Sequence, residues 1–453
     1  MAVARAGEGS VSQLLTEHLA PDAAELPAAT GNWPTYDQVN VQTALNAWVA
    51  EPGRTHRLVG LIQFRHSDFG LGDLLASDYP YGSPGVGAVA MDVLAAGPGG
   101  ITLPCVECGI YLTQDEEGAA ALLVRGPEEN GRNTVTVEIV ATKPGRAAEL
   151  VEELRRVAVE RSVFRGQVIA FGDEVFGHQR GALLSFLDRP EVDRDQVILP
   201  PPILDGIERQ VLGVARHAAR LVASGQHLRR GVLLYGAPGT GKTHTVRYLI
   251  GRLREVTVVL LSGQALGMIA EACSVARTLQ PSVVVVEDVD LIAEERGRHR
   301  GQHPLLFELL NEMDGLGGDI DVTFLLTTNR ADMLEHALAA RPGRVDHAAE
   351  LPLPDADARR RLLSLYRGGL DLDLADPEVV ISRTEGVTAS FIRELLRRAA
   401  LVAAESDSQA DEADSAPLHV TDEHLTAALD QLLDTRNALT VALLGGASGQ
   451  QSD

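Results

Sequence analysis

Residues 236–243 read GAPGTGKT, and their types and spacing could bind phosphate. The spacing G-x-x-x-x-G-K-[ST] leaves backbone N–H groups free to point at phosphate oxygens, and a helix N-terminus adds positive potential. The Lys242 ammonium group would reach the outer phosphates, and the Thr243 hydroxyl group would ligate Mg²⁺. An apolar run at 231–235 precedes the loop and a helical pattern at 245–250 follows it. The motif requires this strand–loop–helix context, and the alternative is a glycine-rich turn that matches by chance.

Acidic residues follow a run of four valines farther along the chain. The valines at 283–286 predict a buried strand, and Glu287, Asp288 and Asp290 come directly after it. Since open parallel sheets bind ligands at the carboxyl ends of their strands, we expect these carboxylates to face the phosphates. One carboxylate would hold Mg²⁺, and another would orient and polarise an attacking water. A solvated acidic loop is the alternative.

An asparagine and two arginines are further candidates. Asn329 follows a predicted strand at 322–327, and it either holds the water against the terminal phosphate or caps a helix predicted at 331–338. Arg341 and Arg344 enclose a Pro-Gly turn. Such a rigid basic turn suits an arginine finger that acts on a neighbouring subunit, and it equally suits a plain surface turn.

Composition limits the class of protein. The 453 residues carry a formal net charge of -23, so we expect repulsion from nucleic acid and consider a nucleic-acid partner unlikely. The three cysteines fit a reducing compartment. The first eight residues contain no apolar region and no stretch is long and apolar enough to span a membrane, so we expect a soluble cytoplasmic protein without a signal peptide.

The pattern of elements predicts two folded regions. Before residue 187, strands at 58–64, 109–113, 121–125, 134–141 and 166–171 and a helix at 145–161 indicate an α/β or α+β domain. Charged residues and prolines at 187–202 predict an exposed connector, and a long helix follows at 204–223. Alternating strands and helices then predict a parallel sheet covered on both faces, and from 355 onward the pattern is helical. Residues 405–416 and 445–453 have the composition of disordered segments.

The pair Cys105 and Cys108 has the spacing of half a zinc site. A structural zinc site needs a second pair, and the third cysteine, Cys273, lies far along the chain. Ordinary thiols are therefore the favoured interpretation.

Five motifs in this order resemble the AAA family of ATPases. They lie at 236–243, 283–290, 309–316, 327–330 and 341–344, and the resemblance covers about 200–435. It implies a P-loop αβα sandwich with a parallel sheet and a small helical lid. It also implies ATP and Mg²⁺ as cofactors and a homo-oligomeric, usually hexameric, ring. The resulting domains are 1–30 (helix and linker), 31–186 (client recognition), 187–202 (linker), 203–354 (large ATPase subdomain), 355–435 (lid) and 436–453 (tail).

The resemblance also assigns roles to residues. Lys242 and Thr243 match Walker A, Glu287 and Asp288 match Walker B, and Asn329 matches sensor 1. Arg341 and Arg344 match the arginine-finger positions, and 385–390 matches the sensor 2 turn. The inverted order of Glu287 and Asp288 leaves two assignments open, and we expect Thr243 and Glu287 to hold the Mg²⁺ ion and Asp288 to act on the water, with the exchanged roles as the alternative. The nucleotide-binding residues would be Gly236, Ala237, Pro238, Gly239, Thr240, Gly241, Lys242, Thr243, His244 and Ile198.

The sequence departs from the family pattern in three places. Most relatives have Asp then Glu in Walker B, whereas Glu287-Asp288 has the order that resembles the mitochondrial Rieske-protein translocase. The segment 263–269 lacks the aromatic pore residue of protein unfoldases, so Met268 and Ile269 either grip substrate or belong to the core. The charged residues 294–301 form either a second pore loop or a solvated loop. No H-E-x-x-H motif follows, which argues against the membrane-protease branch.

The function expected from this resemblance is ATP hydrolysis by a ring-forming ATPase, coupled to remodelling or disassembly of a protein client. The alternative is a slow ATP-binding assembly scaffold or switch that does not thread substrate. The inverted Glu-Asp order and the missing aromatic residue favour the alternative, whereas Lys242, Thr243, Asn329 and the paired arginines favour hydrolysis. The client itself is not identified by the sequence.

Overall fold

A computed structural model describes residues 10–62, 69–76, 84–127, 133–172, 184–290, 304–315, 320–330, 345–406 and 417–433. The chain divides into two compact units, an N-terminal unit of residues 1–188 and a C-terminal unit of residues 189–453. In the part of the chain that the structure describes, no helix has the length and apolar character needed to cross a membrane.

The N-terminal unit is built on an antiparallel sheet. Its strands are β1 (Ala29–Pro34), β2 (Thr55–Leu61), β3 (Val86–Gly87), β4 (Ala90–Ala95), β5 (Thr102–Asp115), β6 (Gly118–Arg125) and β7 (Thr134–Ala141). They lie in the order β1-β7-β6-β5-β2-β3, and β4 pairs with the first half of β5. Two further strands, β8 (Val168–Phe171) and β9 (Leu184–Leu187), form an antiparallel pair. Antiparallel pairing makes this unit α+β, one of the two predicted alternatives.

Helices cover both faces of this sheet. They are α1 (Val11–His18), α2 (Gln38–Val49), α3 (Leu71–Leu75) and α4 (Arg146–Glu160). Leu122 of β6 packs in a core with residues of α2 and α4, whereas the next residue, Leu123, packs in a second core with residues of α1 and α3. Successive strand residues point to opposite faces, so a strand that is buried on both faces has a continuous apolar sequence.

Helix α2 was not predicted because polar residues interrupt its apolar pattern. Gln38, Asn40 and Gln42 are all buried. The backbone N–H of Val106 in β5 donates to Gln42 Oε1 (2.9 Å), and Gln38 Nε2 donates to the Val106 carbonyl oxygen (3.3 Å). Two glutamine side chains thus satisfy strand backbone groups in the half of β5 that extends beyond β6.

The C-terminal unit contains the predicted parallel sheet. Its strands are β10 (Arg230–Tyr235), β11 (Thr257–Leu261), β12 (Ser282–Val286), β13 (Val322–Thr328) and β14 (His347–Glu350). Within this unit they lie in the order β14-β10-β13-β12-β11, and each neighbouring pair is parallel. All five residues of β12 are buried, which explains its valine run.

One predicted helix of this unit is interrupted. A five-residue π-helical segment, Arg209–Gly213, interrupts the single long helix that was predicted at 204–223. The helices up to residue 315 are α5 (Pro201–Glu208), α6 (Val214–Ala223), α7 (Lys242–Arg252), α8 (Ile269–Thr278) and α9 (Pro304–Asp314).

The last part of the unit is a helical subdomain, here called the lid. Its helices are α10 (Ala356–Tyr366), α11 (Pro377–Arg383), α12 (Ala389–Ser406) and α13 (Asp422–Leu433), which share one apolar core. The lid is not entirely helical, because β15 (Asp371–Asp373) and β16 (His419–Thr421) form a parallel pair. Strands of three residues are too short to show a periodic pattern in the sequence.

The segment predicted as an exposed connector packs along helix α7. The Arg189 guanidinium group donates to the carbonyl oxygens of Ile250 (2.8 Å), Leu253 (2.5 Å) and Val256 (3.2 Å), at and just beyond the C-terminal end of α7. The ring nitrogen Nε2 of His244, in the first turn of α7, lies 3.1 Å from the Gln196 carbonyl oxygen. Residues 189–196 therefore contact both ends of the helix that follows the phosphate-binding motif.

Candidate active site

The predicted phosphate-binding loop connects β10 to α7, and its glycines have positive φ angles. The φ angles are 146° at Gly236, 81° at Gly239 and 102° at Gly241. Residues with a side chain rarely adopt these values, so glycine is required for this backbone path. A Cβ atom at Gly236 would also lie 2.5 Å from the Leu351 carbonyl oxygen.

Lys242 begins helix α7 and is buried. Its Nζ atom donates to the carbonyl oxygens of Gly236 (2.8 Å) and Ala237 (3.0 Å) in the loop. Burial lowers the pKa of Lys242, and the nearby carboxylates of Asp288 and Asp290 act in the opposite direction. The ammonium group thus lies inside the loop and within electrostatic range of the carboxylates that follow β12.

Glu287 follows β12 directly and interacts with the residue after Lys242. Its carboxylate lies beside the Thr243 hydroxyl group. Burial raises the pKa of Glu287, and the interaction with Thr243 lowers it to a smaller extent. Oε1 of Glu287 is buried and has no hydrogen-bond partner among the described residues. A hydroxyl and a carboxylate with an unsatisfied oxygen are the ligand types that Mg²⁺ prefers. This pair therefore fits a Mg²⁺ ion, which would give the buried oxygen its missing partner.

Asp288 has an unusual backbone conformation. Its φ angle of 51° is the one positive value at a non-glycine residue in the described part of the chain. Its N–H donates to Thr327 Oγ1 (3.0 Å), and its Oδ1 accepts from Asn329 Nδ2 (3.2 Å). A left-handed conformation costs roughly 1–2 kcal/mol for a residue with a side chain, and such conformations cluster at functional sites.

Asp290 is part of the same group of contacts. Its Oδ1 accepts from Thr328 Oγ1 (2.9 Å) and from the Asn329 N–H (3.2 Å). The sequence placed Asp290 among the acidic residues after β12 and gave it no role of its own. No sequence pattern links it to Asn329, since these hydrogen bonds join segments at the ends of two neighbouring strands that are distant in the chain.

The first turn of helix α12 contacts the phosphate-binding loop. The Ser390 N–H donates to the Gly239 carbonyl oxygen (3.2 Å). A Cβ atom at Gly239 would lie 2.9 Å from both Ser390 Oγ and Thr388 Oγ1. The segment 385–390 is therefore beside the loop, and Ile198 packs on the apolar core of the lid.

Several predicted sites have other outcomes. Ile269 is fully buried in α8 and belongs to the core, whereas Met268 is half-buried. Arg341, Arg344 and the charged segment 294–301 lie outside the described residues. Cys105 and Cys108 are both buried free thiols in β5. No group of three potential metal-ligating His, Cys, Asp or Glu side chains occurs in the described ranges.

Comparison with known proteins supports one family. Residues 232–353 match the family model "ATPase family associated with various cellular activities (AAA)". The proteasome-activating nucleotidase of Methanosphaerula palustris is 33% identical over 194 residues, which are 40% of this chain and 47% of that protein. A 26S proteasome regulatory subunit 6B homolog of Dictyostelium discoideum is 34% identical over 186 residues, 38% of this chain and 46% of that protein.

A third relative is the ATP-dependent zinc metalloprotease FtsH 2 of Symbiobacterium thermophilum. It is 32% identical over 209 residues, which are 43% of this chain and 35% of that protein. The chain thus spans less than half the length of these curated relatives.

Proposed function

We propose, because the chain belongs to the AAA family of ATPases, that it hydrolyses ATP in a homo-oligomeric ring and uses the energy to remodel a protein client. The observation that carries the proposal is the separation of the two consecutive carboxylates. Glu287 contacts Thr243 of the phosphate-binding loop, whereas Asp288 contacts Asn329 at the end of β13. Two carboxylates with different partners can perform two different tasks.

The first task is binding of nucleotide with its metal. Lys242 would neutralise the outer phosphates, and Thr243 and Glu287 would hold the Mg²⁺ ion. A bound Mg²⁺ ion supplies charge neutralisation at the phosphate oxygens. Gly236–His244 would surround the phosphates, and Ile198 would contact the adenine beside the lid.

The second task is activation of water. Asp288 would accept a proton from the attacking water, and the Asn329 amide would hold both the carboxylate and the water in line with the terminal phosphate. Arg341 and Arg344 would stabilise negative charge on the phosphate of a neighbouring subunit. This arrangement requires contact between subunits, and we propose a hexamer.

The client is proposed to be a protein. Two of the relatives carry the word proteasome in their names and a third is a protease, which supports a substrate of this class. The family match begins at residue 232, so the N-terminal unit lies outside it. We assign client recognition to that unit and place the protein in the cytoplasm.

A second function remains a candidate. The inverted Glu287-Asp288 order and the absence of an aromatic residue from 263–269 favour an assembly scaffold that binds ATP, hydrolyses it slowly and threads no substrate.

The test is steady-state ATPase activity measured across protein concentration, with light scattering for the mass at each concentration. Activity per subunit that rises with assembly supports shared sites and the remodelling ring. Assembly on ATP with almost no turnover favours the scaffold. Activity that is independent of the assembly state would contradict a site shared between subunits.

A further inference from the structure

We propose that Asp290 is a positioning residue, which holds Asn329 so that its amide meets Asp288. The inference rests on the proposed function, because it concerns the residues that would activate water. Asp290 itself would touch neither nucleotide nor water.

The sheet places the two loops side by side. Strands β12 and β13 are parallel neighbours, and Val286 pairs with Leu326 at their carboxyl ends. The loop that begins at Glu287 therefore leaves the sheet beside Thr327 and Thr328, the last two residues of β13. Residues one to four positions beyond this pair can meet without any large excursion of the backbone.

Hydrogen bonds join the two segments in both directions. The Asp288 N–H donates to Thr327 Oγ1 (3.0 Å), which fixes the left-handed backbone of Asp288 from the side of β13. In return, Oδ1 of Asp290 accepts from Thr328 Oγ1 (2.9 Å) and from the Asn329 N–H (3.2 Å). The backbone of Asn329 is thus fixed by Asp290, and the backbone of Asp288 is fixed by Thr327.

The Asn329 side chain also connects the two segments. Its Nδ2 atom donates to Asp288 Oδ1 across 3.2 Å. An Asn side chain has few rotatable bonds, so its amide can meet a given oxygen only if its backbone is held in place. Without Asp290, the Asn329 N–H and the Thr328 hydroxyl would lose their acceptor and the end of β13 would lose its fixed position.

The burial of Asp290 argues against contact with solvent water. Its exposed fraction is 7%, and the oxygen that accepts both donors is Oδ1. A residue that acts through Asn329 has a specific kinetic signature. Removing it should lower kcat without a comparable loss of nucleotide affinity, and it should have no further effect once Asn329 is absent.

The experiment is a double-mutant cycle in the full chain with Asp290→Ala, Asn329→Ala and the combination, together with Asp290→Asn. We expect Asp290→Ala to lower kcat by about 10- to 100-fold and to change the Kd for ADP by less than about 3-fold. The combination should be no slower than Asn329→Ala alone. Asp290→Asn retains an acceptor oxygen and should recover most of the activity.

A matched control is Asp355→Ala. Oδ1 of Asp355 accepts from the Ala358 N–H (2.8 Å) at the start of α10, which is an exposed helix cap. We expect this variant to lower thermal stability slightly and to leave kcat unchanged. This control distinguishes the general effect of losing a stabilising aspartate from the specific effect of losing Asp290 at the candidate site.

Two results would overturn the proposal. Additive losses in the double variant would show that Asp290 acts independently of Asn329. Equal loss in Asp290→Asn and Asp290→Ala would show that the charge, and not the acceptor oxygen, is required.

A second readout does not depend on turnover. The ratio of the Kd for ADP to the Kd for a non-hydrolysable ATP analogue reports contacts with the terminal phosphate. We expect Asp290→Ala, Asn329→Ala and the double variant to lower this ratio equally. If the wild-type protein bound nucleotide but did not hydrolyse it, the proposed function would fail, and this ratio would still decide the role of Asp290.

Discussion

The side-chain amide of Asn329 donates to Oδ1 of Asp288 across 3.2 Å. Glu287, one residue earlier, interacts with Thr243 instead, and one of its oxygens is buried without a partner among the described residues. Asp288, the second residue of the inverted Glu-Asp pair, has a left-handed backbone. This conformation directs its side chain toward Asn329.

Asp288→Asn should leave ATP bound and block its hydrolysis. The amide keeps the size of the side chain but cannot accept a proton, so we expect kcat to fall by about 100-fold or more. Glu287→Gln should instead weaken the response to Mg²⁺, measured as the Mg²⁺ concentration that gives half-maximal ATP binding. If Glu287→Gln alone trapped bound ATP without turnover, the two roles would be exchanged.

Lys242→Ala should abolish nucleotide binding. The Lys242 ammonium group lies inside the phosphate-binding loop, and no other Lys or Arg lies within residues 236–246. Isothermal titration calorimetry with ATP and with ADP measures the effect. Retained affinity for ATP would show that the loop does not bind the phosphates of the nucleotide.

Arg344→Ala should stop turnover and preserve nucleotide binding, because an arginine finger acts on the phosphate of a neighbouring subunit. Mixing Arg344→Ala subunits with Lys242→Ala subunits creates some sites that combine an intact loop with an intact arginine. We expect partial recovery of ATPase activity in the mixture. No recovery at any mixing ratio would argue against a site shared between subunits.

Gly251→Ala should destabilise the C-terminal unit. A Cβ atom at Gly251 would lie 2.4 Å from the Pro190 carbonyl oxygen, so the segment that packs along α7 would have to move. We expect a loss of about 1–3 kcal/mol in the free energy of unfolding, which appears as a lower Tm. Gly213→Ala is the matched control, since the atoms nearest to its new Cβ atom would lie 3.8 Å away. Equal Tm values for the two variants would show that the segment moves without cost.

His419 should stabilise the lid more in mild acid than in mild alkali. Its hydrogen bond to Asp371 raises the pKa of His419 above 6.5. A group whose pKa is higher in the folded protein than in the unfolded chain stabilises the fold fully at a pH below its unfolded-state pKa. This stabilisation is lost as the pH rises through its folded-state pKa. We expect the Tm difference between the wild type and His419→Gln to shrink from about pH 6 to about pH 8. A constant difference over this range would contradict a charged His419–Asp371 pair.

The part of the fold with strong local patterns could be predicted from the sequence. The valines before Glu287 form β12, strand β7 has the predicted bounds 134–141, and the glycine loop connects a strand to a helix. Helix α2 could not be predicted, because its buried Gln38 and Gln42 bind the backbone of a strand more than sixty residues away. The contact between Asp290 and Asn329 could not be predicted either, since it depends on the register of β12 and β13.

The three cysteines make the native chain a suitable background for site-specific labelling. All three are buried, and burial raises the pKa of both Cys105 and Cys273 to about 12. Because the thiolate is the reactive form, maleimide dyes should leave these positions largely unmodified in the folded protein. A single cysteine introduced on the exposed surface of the lid would then carry a fluorophore, and its distance from a labelled nucleotide could be followed through each turnover.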